Sequence, residues 1–273
     1  MKRWIFIDGK FRQTEEGELR SLSPGHVKGD GVFETIRAVG GRVFFEEAHL
    51  GRLEKGLRVL RIPAVYPRAV LRALLRETVR RNPCSDGRAR LMVWQEGSRR
   101  RVVVAAQPYR PFAKRIYQSG VSAVIFRAGA RAREMFRSVK SVRYRPFLDF
   151  YQRARKKGYD EAVLTGPAGK IVEGSRSNIF WVNNGRLTTP SLKTGCLPGI
   201  IRGWVLATAR KKRTPVREGT CGSADLAFAD EAFLTNSLIG IMPLTSLNGR
   251  GIGSGRPGSV TLKLMREYNR TVR

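Results

Sequence analysis

Residues 171–180 read IVEGSRSNIF, and they are the most informative part of this chain. Two further segments follow in order, TPSL at 189–192 and LPGIIR at 197–202, and Lys140 precedes all three. A lysine amine can form a Schiff base with an aldehyde, and a carboxylate such as Glu173, set against a pyridine nitrogen, can keep that ring protonated. This combination suggests pyridoxal phosphate as a cofactor.

Length and composition predict a folded protein of two domains. The chain has 273 residues, of which 41% are hydrophobic, and this length buries a core more comfortably in two domains than in one. The apolar run near the start, residues 4–7, is too short for a signal peptide. No stretch approaches the length of a membrane span. The cysteines are irregularly spaced and predict reduced thiols and no metal site in a cytoplasmic protein: Cys84, Cys196 and Cys221.

The charge of the chain is strongly positive, with 52 Lys and Arg against 22 Asp and Glu, a formal net charge of +30. Such a balance makes nonspecific binding of nucleic acid or another polyanion a candidate property. No RNP motif, zinc-finger spacing or basic tail accompanies the charge. A solvated basic surface is therefore the alternative interpretation.

Turn signals and hydrophobic spacing predict strands and helices in the first part of the chain. Asp8-Gly9 and Gly40-Gly41 each separate two apolar stretches, which predicts two hairpins, the second returning over residues 42–45. Apolar residues recur at helical spacing over 50–60 and 70–79, which predicts two amphipathic helices. The fold class is therefore α+β.

A break at Pro108-Tyr109-Arg110-Pro111 predicts a domain boundary. We expect an N-terminal α+β domain over residues 1–107, a linker over 108–120 and a C-terminal domain over 121–273. The C-terminal part has a mixed pattern, and its predicted elements are strands at 121–126, 161–164, 178–182 and 231–235, helices at 146–157 and from Pro198-Gly199 onward, and a last helix capped by Ser259.

Several segments, in this order and spacing, resemble the fold-type IV pyridoxal-phosphate enzymes, the class IV aminotransferase family. This family holds branched-chain aminotransferases, D-amino-acid aminotransferases and 4-amino-4-deoxychorismate lyases. The resemblance implies two mixed α/β domains of the D-amino-acid aminotransferase-like kind, a cofactor at their interface and a homodimer. The segments are GDGVFETIR at 29–37, HLGRL at 49–53, KS at 140–141, GYDEA at 158–162, EG at 173–174, SNIF at 177–180, LPGI at 197–200 and TNS at 235–237.

The resemblance assigns the Schiff-base lysine to Lys140 and the carboxylate at the pyridine nitrogen to Glu173. It places Tyr144 at the cofactor's phenolic oxygen, although Arg143 stands where asparagine is common. Lys140 is also the group expected to move the substrate Cα proton. The structural alternatives are a solvated lysine, a solvated turn glutamate and a core tyrosine.

The resemblance also implies a phosphate site of one arginine and a helix N-terminus. These fall on Arg52 and on the backbone NH groups of Ile200 and Ile201, and Ser237 with the NH of Leu238 would complete the site. Relatives often have threonine at the position of Ile201, so a hydroxyl contact is missing here. A surface helix arginine is the alternative for Arg52.

The amino-acid sequence of several short segments favours one reaction within the family. The segments at 189–195, 178–182 and 233–241 most resemble aminodeoxychorismate lyases, and Thr35 stands where branched-chain aminotransferases usually have glycine. A β-branched residue chosen for a strand is the other explanation of Thr35. We therefore expect a lyase that converts 4-amino-4-deoxychorismate to 4-aminobenzoate and pyruvate, a step toward folate.

Two alternatives stay open. One is an aminotransferase on branched-chain L- or D-amino acids with a 2-oxo acid acceptor, and the remote one is a basic polyanion-binding protein without catalysis. For either enzyme, Arg90 and Arg37 are candidate clamps for a substrate carboxylate, because arginine binds carboxylates with two parallel hydrogen bonds.

Overall fold

The structure is a computed structural model that describes residues 2–272, apart from the side chain of Arg131. The backbone divides into two compact units. The first unit runs to Pro111 and also contains Val139–Arg145, and the second comprises Phe112–Ser138 and the chain from Pro146 onward.

The segment that carries Lys140 belongs to the first unit, whereas the sequence placed it in a C-terminal domain over 121–273. The reason is backbone hydrogen bonding. Phe33 N donates to Lys140 O at 2.9 Å, and Val142 N donates to Gly31 O at 2.9 Å. The segment therefore adds to a strand that lies more than a hundred residues earlier. Part of the predicted linker, Lys114–Ser119, is helical.

The first unit is an antiparallel sheet with strand order β2-β1-β6-β5-β3-β4. Its elements are β1 (Arg3–Ile7), β2 (Lys10–Thr14), α1 (Glu16–Ser21), β3 (Asp30–Val39), β4 (Arg42–Val43), α2 (Glu46–Val59), α3 (Arg68–Arg81), β5 (Asp86–Glu96) and β6 (Arg99–Pro108). The two predicted hairpins and the two amphipathic helices are confirmed. The strand predicted over 42–45 ends at Val43, because Phe45 has a φ of 54° and is the N-cap of α2.

The sheet of the first unit buries a different core on each face. Val32 and Ile36 of β3 pack in one core with buried leucines of α2 and α3. Phe33 points to the other face, where it packs with Met92 of β5 and Val142. This alternation follows from the period of two along a strand. It also places the side chain of Glu34 on the opposite face of the sheet from those of Phe33 and Thr35.

The second unit is built around a mixed sheet with strand order β12-β11-β10-β13-β14-β7-β8-β9, and β15 pairs with β14. Neighbouring strands are parallel at β11/β12, β14/β7 and β7/β8. Its elements are α4 (Lys114–Ser119), β7 (Val121–Arg127), α5 (Ala132–Met135), α6 (Arg145–Lys156), β8 (Glu161–Thr165), β9 (Ile171–Gly174), β10 (Asn178–Asn183), β11 (Arg186–Pro190), α7 (Ile200–Lys211), β12 (Val216–Gly219), α8 (Ser223–Ala227), β13 (Glu231–Asn236), β14 (Gly240–Leu247), β15 (Arg250–Gly251) and α9 (Ser259–Thr271).

The last helix is present, but its predicted cap is wrong. Gly258 occupies the N-cap position and Ser259 is already the first helical residue. The carboxylate of Glu231, on β13, accepts from the backbone N of Val260 at 3.1 Å and of Thr261 at 2.8 Å. The side chain of Glu231, which is distant in the sequence, therefore caps α9 in place of the Ser259 hydroxyl. Within residues 2–272, no helix is long and apolar enough to cross a membrane.

Candidate active site

Lys140 lies in the first unit, on the face of the sheet that carries Phe33. Its Nζ is 4.5 Å from the centre of the Phe33 ring and 5.5 Å from that of Tyr144, and the two rings meet edge to face at 5.3 Å. The Lys140 side chain is half-buried. Backbone and side chain are thus both held, which is unlike a solvated surface lysine.

Arg143, which stands where asparagine is common in the family, forms an ion pair with Asp30. Its Nε lies 2.7 Å from Asp30 Oδ1, and its Nη2 donates to Asp30 Oδ2 at 2.9 Å. Asp30 begins β3, so this exposed pair ties the segment that follows Lys140 to the same strand. The side chain of Arg143 is therefore engaged with Asp30.

Arg52 is held by the buried residue Glu34, which also contacts the buried His49. Arg52 Nε donates to Glu34 Oε1 at 2.8 Å, and Arg52 Nη2 donates to Glu34 Oε2 at 2.6 Å. His49 Nδ1 lies 2.7 Å from Glu34 Oε2. The side chains of Glu34 and His49 are 1% and 0% exposed, and that of Arg52 is 10% exposed. Arg52 is therefore no solvated surface arginine.

The protonation states of this triad follow from its burial and contacts. Burial would raise the pKa of Glu34, but the charges and hydrogen bonds of Arg52 and His49 outweigh it and hold that pKa at about 2. Burial lowers the pKa of His49. A neutral imidazole facing an ionised carboxylate must carry its hydrogen on Nδ1, because the carboxylate can only accept. The triad thus contains one anion and one cation.

The candidate substrate arginines differ in their surroundings. Arg37 Nη2 lies 2.6 Å from Asp86 Oδ1, so its charge is balanced within the protein. Arg90 is largely buried, and burial followed by the charge of Arg88 lowers its pKa to about 10. Thr35 pairs with Arg90 across β3 and β5, and its side chain points to the face that carries Phe33. Of the two candidates, Arg37 is therefore the one whose charge is already paired inside the protein.

Glu173 lies in the second unit on β9, with 6% of its surface exposed. It is not the solvated turn glutamate of the alternative interpretation. Leu197 N donates to Glu173 Oε2 at 3.0 Å, which orients the carboxylate. Next to Leu197, burial followed by the charge of Glu173 raises the pKa of the Cys196 thiol to about 11. That thiol stays protonated at neutral pH and is no nucleophile.

The start of α7 is fixed by contacts of Asn178 and Gly199. Asn178 Nδ2 donates to Leu197 O at 2.8 Å, and a Cβ added to Gly199 would lie 1.9 Å from Asn178 Oδ1. Gly199 is the N-cap, and Ile200 and Ile201 begin the helix. The first NH groups of a helix have no partner inside it and can bind an anion.

The loop after β13 carries Ser237 and Leu238. Asn236 Oδ1 accepts from the NH groups of Leu238 and Ile239, both at 2.9 Å. The Leu238 NH is therefore already hydrogen-bonded within the loop, and a bound phosphate would have to share this donor with Asn236 Oδ1. Thr235 is buried, and its Oγ1 has no hydrogen-bond partner within the described residues.

Within the first unit the structure brings together Lys140 and Tyr144 and places Thr35 on the same face of the sheet, while Arg52 lies on the helix side of β3. Within the second unit it orients Glu173 and places Ile200 and Ile201 at the start of α7. Sequence reasoning missed Glu34, His49 and Arg88. Both Glu34 and His49 lie inside segments that were recognised, GDGVFETIR and HLGRL, but their mutual contact needed the packing of α2 on β3.

These residues fit pyridoxal 5'-phosphate by their chemistry. A lysine held over aromatic rings offers the amine, and a buried and oriented carboxylate suits a protonated pyridine nitrogen. A buried arginine and the first NH groups of a twelve-residue helix suit a phosphate. The donor set therefore contains a group for each polar part of the cofactor.

Comparison with known proteins supports the same class. Residues 31–247 match the family described as amino-transferase class IV. A branched-chain-amino-acid aminotransferase of Pseudomonas aeruginosa is 29% identical, over 97% of this chain and 91% of the relative. An aminodeoxychorismate lyase of Bacillus subtilis is 28% identical, over 98% and 94%. A branched-chain aminotransferase of Thermoproteus uzoniensis, solved with norvaline, superposes with a TM-score of 0.87 at 30% identity, covering 99% of this chain and 94% of that one.

The chain belongs to the class IV aminotransferase family. It is therefore a pyridoxal-phosphate-dependent enzyme with the α+β, fold-type IV architecture that the sequence predicted. The remote alternative, a basic binding protein without catalysis, is overturned by this membership. The short sequence segments favoured the lyase. The relatives instead favour the aminotransferase.

Proposed function

We propose that this protein is an aminotransferase that moves an amino group between an L- or D-amino acid, branched-chain amino acids included, and a 2-oxo acid. The observation that carries the proposal is the placement of Lys140. Its backbone is bonded to β3, its amine lies over Phe33, and Arg90 projects from the same sheet face. Several relatives that align over nearly the whole chain carry the name branched-chain-amino-acid aminotransferase, which supports it.

Pyridoxal 5'-phosphate, when bound, supplies an aldehyde that takes up amines and a ring that accepts electrons. Lys140 would hold the aldehyde carbon until a substrate amine replaces it. Its released amine would then carry the proton between the substrate Cα and the cofactor's C4' carbon. Phe33 packs beside this amine.

The other polar groups would hold the cofactor in place. Glu173 would accept a hydrogen bond from the protonated pyridine nitrogen, and its buried carboxylate would keep that proton on the ring. Tyr144 would donate its hydroxyl hydrogen to the phenolic oxygen. Arg52 and the NH groups of Ile200 and Ile201 would bind the phosphate.

Ser237 would add a hydroxyl donor to the phosphate. The Leu238 NH, which already donates to Asn236 Oδ1, would contribute only a shared hydrogen bond. For the substrate carboxylate, Arg90 is the better clamp, because Arg37 is already paired with Asp86.

The test begins with the absorbance of the purified protein. Wild-type protein incubated with pyridoxal phosphate should be yellow, and Lys140→Ala should not, while Lys114→Ala keeps the colour as the matched control. Amino donors should then be consumed continuously only when a 2-oxo acid is present. A colourless wild-type protein after incubation would contradict the assignment of the site.

The lyase is the second candidate, because Thr35 lies on the sheet face of Lys140 and opposite Arg90. Its hydroxyl could position the leaving group or a proton-carrying water. A lyase restores its cofactor in every cycle, so 4-aminobenzoate would accumulate from aminodeoxychorismate with no 2-oxo acid added. Accumulation of this product, with no cycling of any amino acid with 2-oxoglutarate, would replace the aminotransferase proposal. The expected homodimer, cytoplasmic location and polyanion binding stay predictions.

A further inference from the structure

Asn178 has a buried side chain whose two polar atoms both face the segment that leads into α7. Its Nδ2 donates to Leu197 O at 2.8 Å. Its Oδ1 lies against Gly199, because a Cβ added to that glycine would come within 1.9 Å of it. Leu197 O also accepts from Gly199 N at 2.8 Å. One asparagine therefore fixes the backbone just before the first helical residue, Ile200.

Leu197 connects Asn178 to Glu173. The Leu197 NH donates to Glu173 Oε2 at 3.0 Å, while the Leu197 carbonyl accepts from Asn178. The two polar groups of one backbone residue are thus held by two different side chains. A movement of Leu197 away from Asn178 would also lengthen its hydrogen bond to Glu173. The position of the Glu173 carboxylate and that of the α7 start are therefore linked through Leu197.

The turn that joins β9 to β10 is itself held in place. Gly174 N donates to Ser177 O at 2.7 Å. The hydroxyls of Ser175 and Ser177 both donate to the carboxylate of Glu161, a buried residue of β8. The two side chains that hold Leu197 stand on either side of this turn. Their separation is therefore fixed as well.

A rigid ligand binds more tightly to groups that are linked in this way. Pyridoxal phosphate carries its ring nitrogen and its phosphate on one short framework. When two protein groups are held at the separation of the two ligand groups, the second contact forms with little further loss of freedom. The linkage at Leu197 joins Glu173, the expected partner of the ring nitrogen, to the first NH groups of α7, the expected phosphate donors.

We propose that Asn178 is a positioning residue for the cofactor. Acting through Leu197, it holds Glu173 and the start of α7 together as one site for the ring nitrogen and the phosphate. This rests on the cofactor contacts proposed above for the aminotransferase. Asn178 needs no contact of its own with the cofactor for this role.

The experiment measures the affinity of the cofactor-free protein for pyridoxal phosphate and for pyridoxal, which has the ring without the phosphate. Asn178→Ala should weaken binding of pyridoxal phosphate about tenfold, as expected from the loss of a buried hydrogen bond, and change that of pyridoxal by less than about twofold. Asn183→Ala, at the other end of β10, is the matched control and should alter neither affinity. Equal effects on both ligands, including no effect on either, would overturn the inference.

A second measurement does not depend on a variant of Asn178. Inorganic phosphate is titrated into cofactor-free Glu173→Ala and Glu173→Gln. Both variants lack the carboxylate, but only glutamine keeps an oxygen that can accept from Leu197 N. Glu173→Gln should therefore bind phosphate about fivefold more tightly than Glu173→Ala. Equal affinities would overturn the inference even if Asn178→Ala does not fold.

Turnover separates this inference from the proposed function. If pyridoxal phosphate binds with the differences described, but no amino acid passes its amino group to a 2-oxo acid, the aminotransferase proposal fails and the role of Asn178 stands. If amino acids are turned over while Asn178→Ala loses affinity equally for both ligands, the aminotransferase proposal stands and the role of Asn178 fails.

Discussion

The strongest test of the fold at the site is the substitution Glu34→Gln. Glu34 is 1% exposed and accepts three hydrogen bonds, two from Arg52 and one from His49. Glutamine keeps the shape but replaces one acceptor oxygen by an NH2 group, which then faces a donor. It also removes the only negative charge among the three. Arg52 would remain buried next to a neutral amide.

The expected loss of stability can be worked out in two ways. Breaking a buried pair by removing one partner costs about 3–5 kcal/mol. The pKa gives an independent figure, because the fall from an ordinary value of 4.5 to about 2 in the folded state corresponds to about 3 kcal/mol at about 1.4 kcal/mol for each unit. We therefore expect Glu34→Gln to lower the free energy of unfolding by about 3 kcal/mol or more at pH 7.

The sign of the pH dependence follows from the direction of the shift. A carboxyl whose folded pKa is lowered stabilises the protein above its unfolded pKa, and this contribution is lost as pH falls through the folded value. The difference between wild type and Glu34→Gln should hence be full at pH 7 and shrink between about pH 4.5 and pH 2, where Glu34 titrates. Glutamine does not titrate.

The assay is chemical unfolding of the cofactor-free proteins at pH 7 and at pH 3, since a bound cofactor would add its own stabilisation. Glu47→Gln is the matched control, because Glu47 lies on α2 but its side chain is 55% exposed, and exposed pairs contribute about 1 kcal/mol or less. A Glu34→Gln protein within about 1 kcal/mol of wild type at pH 7 would refute this reasoning, as would a difference that stays constant with pH.

Two further predictions concern the second unit. Glu173→Gln should keep the cofactor absorbance but lower turnover at least tenfold, because a neutral amide no longer favours a protonated pyridine; Glu134→Gln, an exposed glutamate, is the control, and unchanged turnover would remove Glu173 from the site. Gly199→Ala should lower the free energy of unfolding by about 1–3 kcal/mol, because its Cβ would lie 1.9 Å from Asn178 Oδ1. Gly203→Ala, in the same helix with open space around it, should instead raise that free energy by about 0.5–1 kcal/mol, and equal effects of the two would contradict the steric argument.

Much of the fold could be predicted because local patterns carry it. The spacing of leucines predicted α2 and α3, and the glycine turns predicted the hairpins, since these depend on neighbours a few residues away. The order of the segments around Lys140 and Glu173 indicated the cofactor for a related reason. Each group of pyridoxal phosphate needs one kind of side chain, and the chain supplies them in a family-specific order.

The sequence by itself therefore determined the class of the enzyme and its cofactor, while the residues that it assigned to the chemistry stay predictions. The tertiary structure decided what surrounds each of the candidate arginines. Arg52 is held by Glu34, Arg37 is paired with Asp86, and Arg88 donates to the neutral side chain of Gln107. Strand register and burial produce these differences, because they join residues that are far apart in the chain. The number of arginines in the sequence reveals neither the strand register nor the burial of each one.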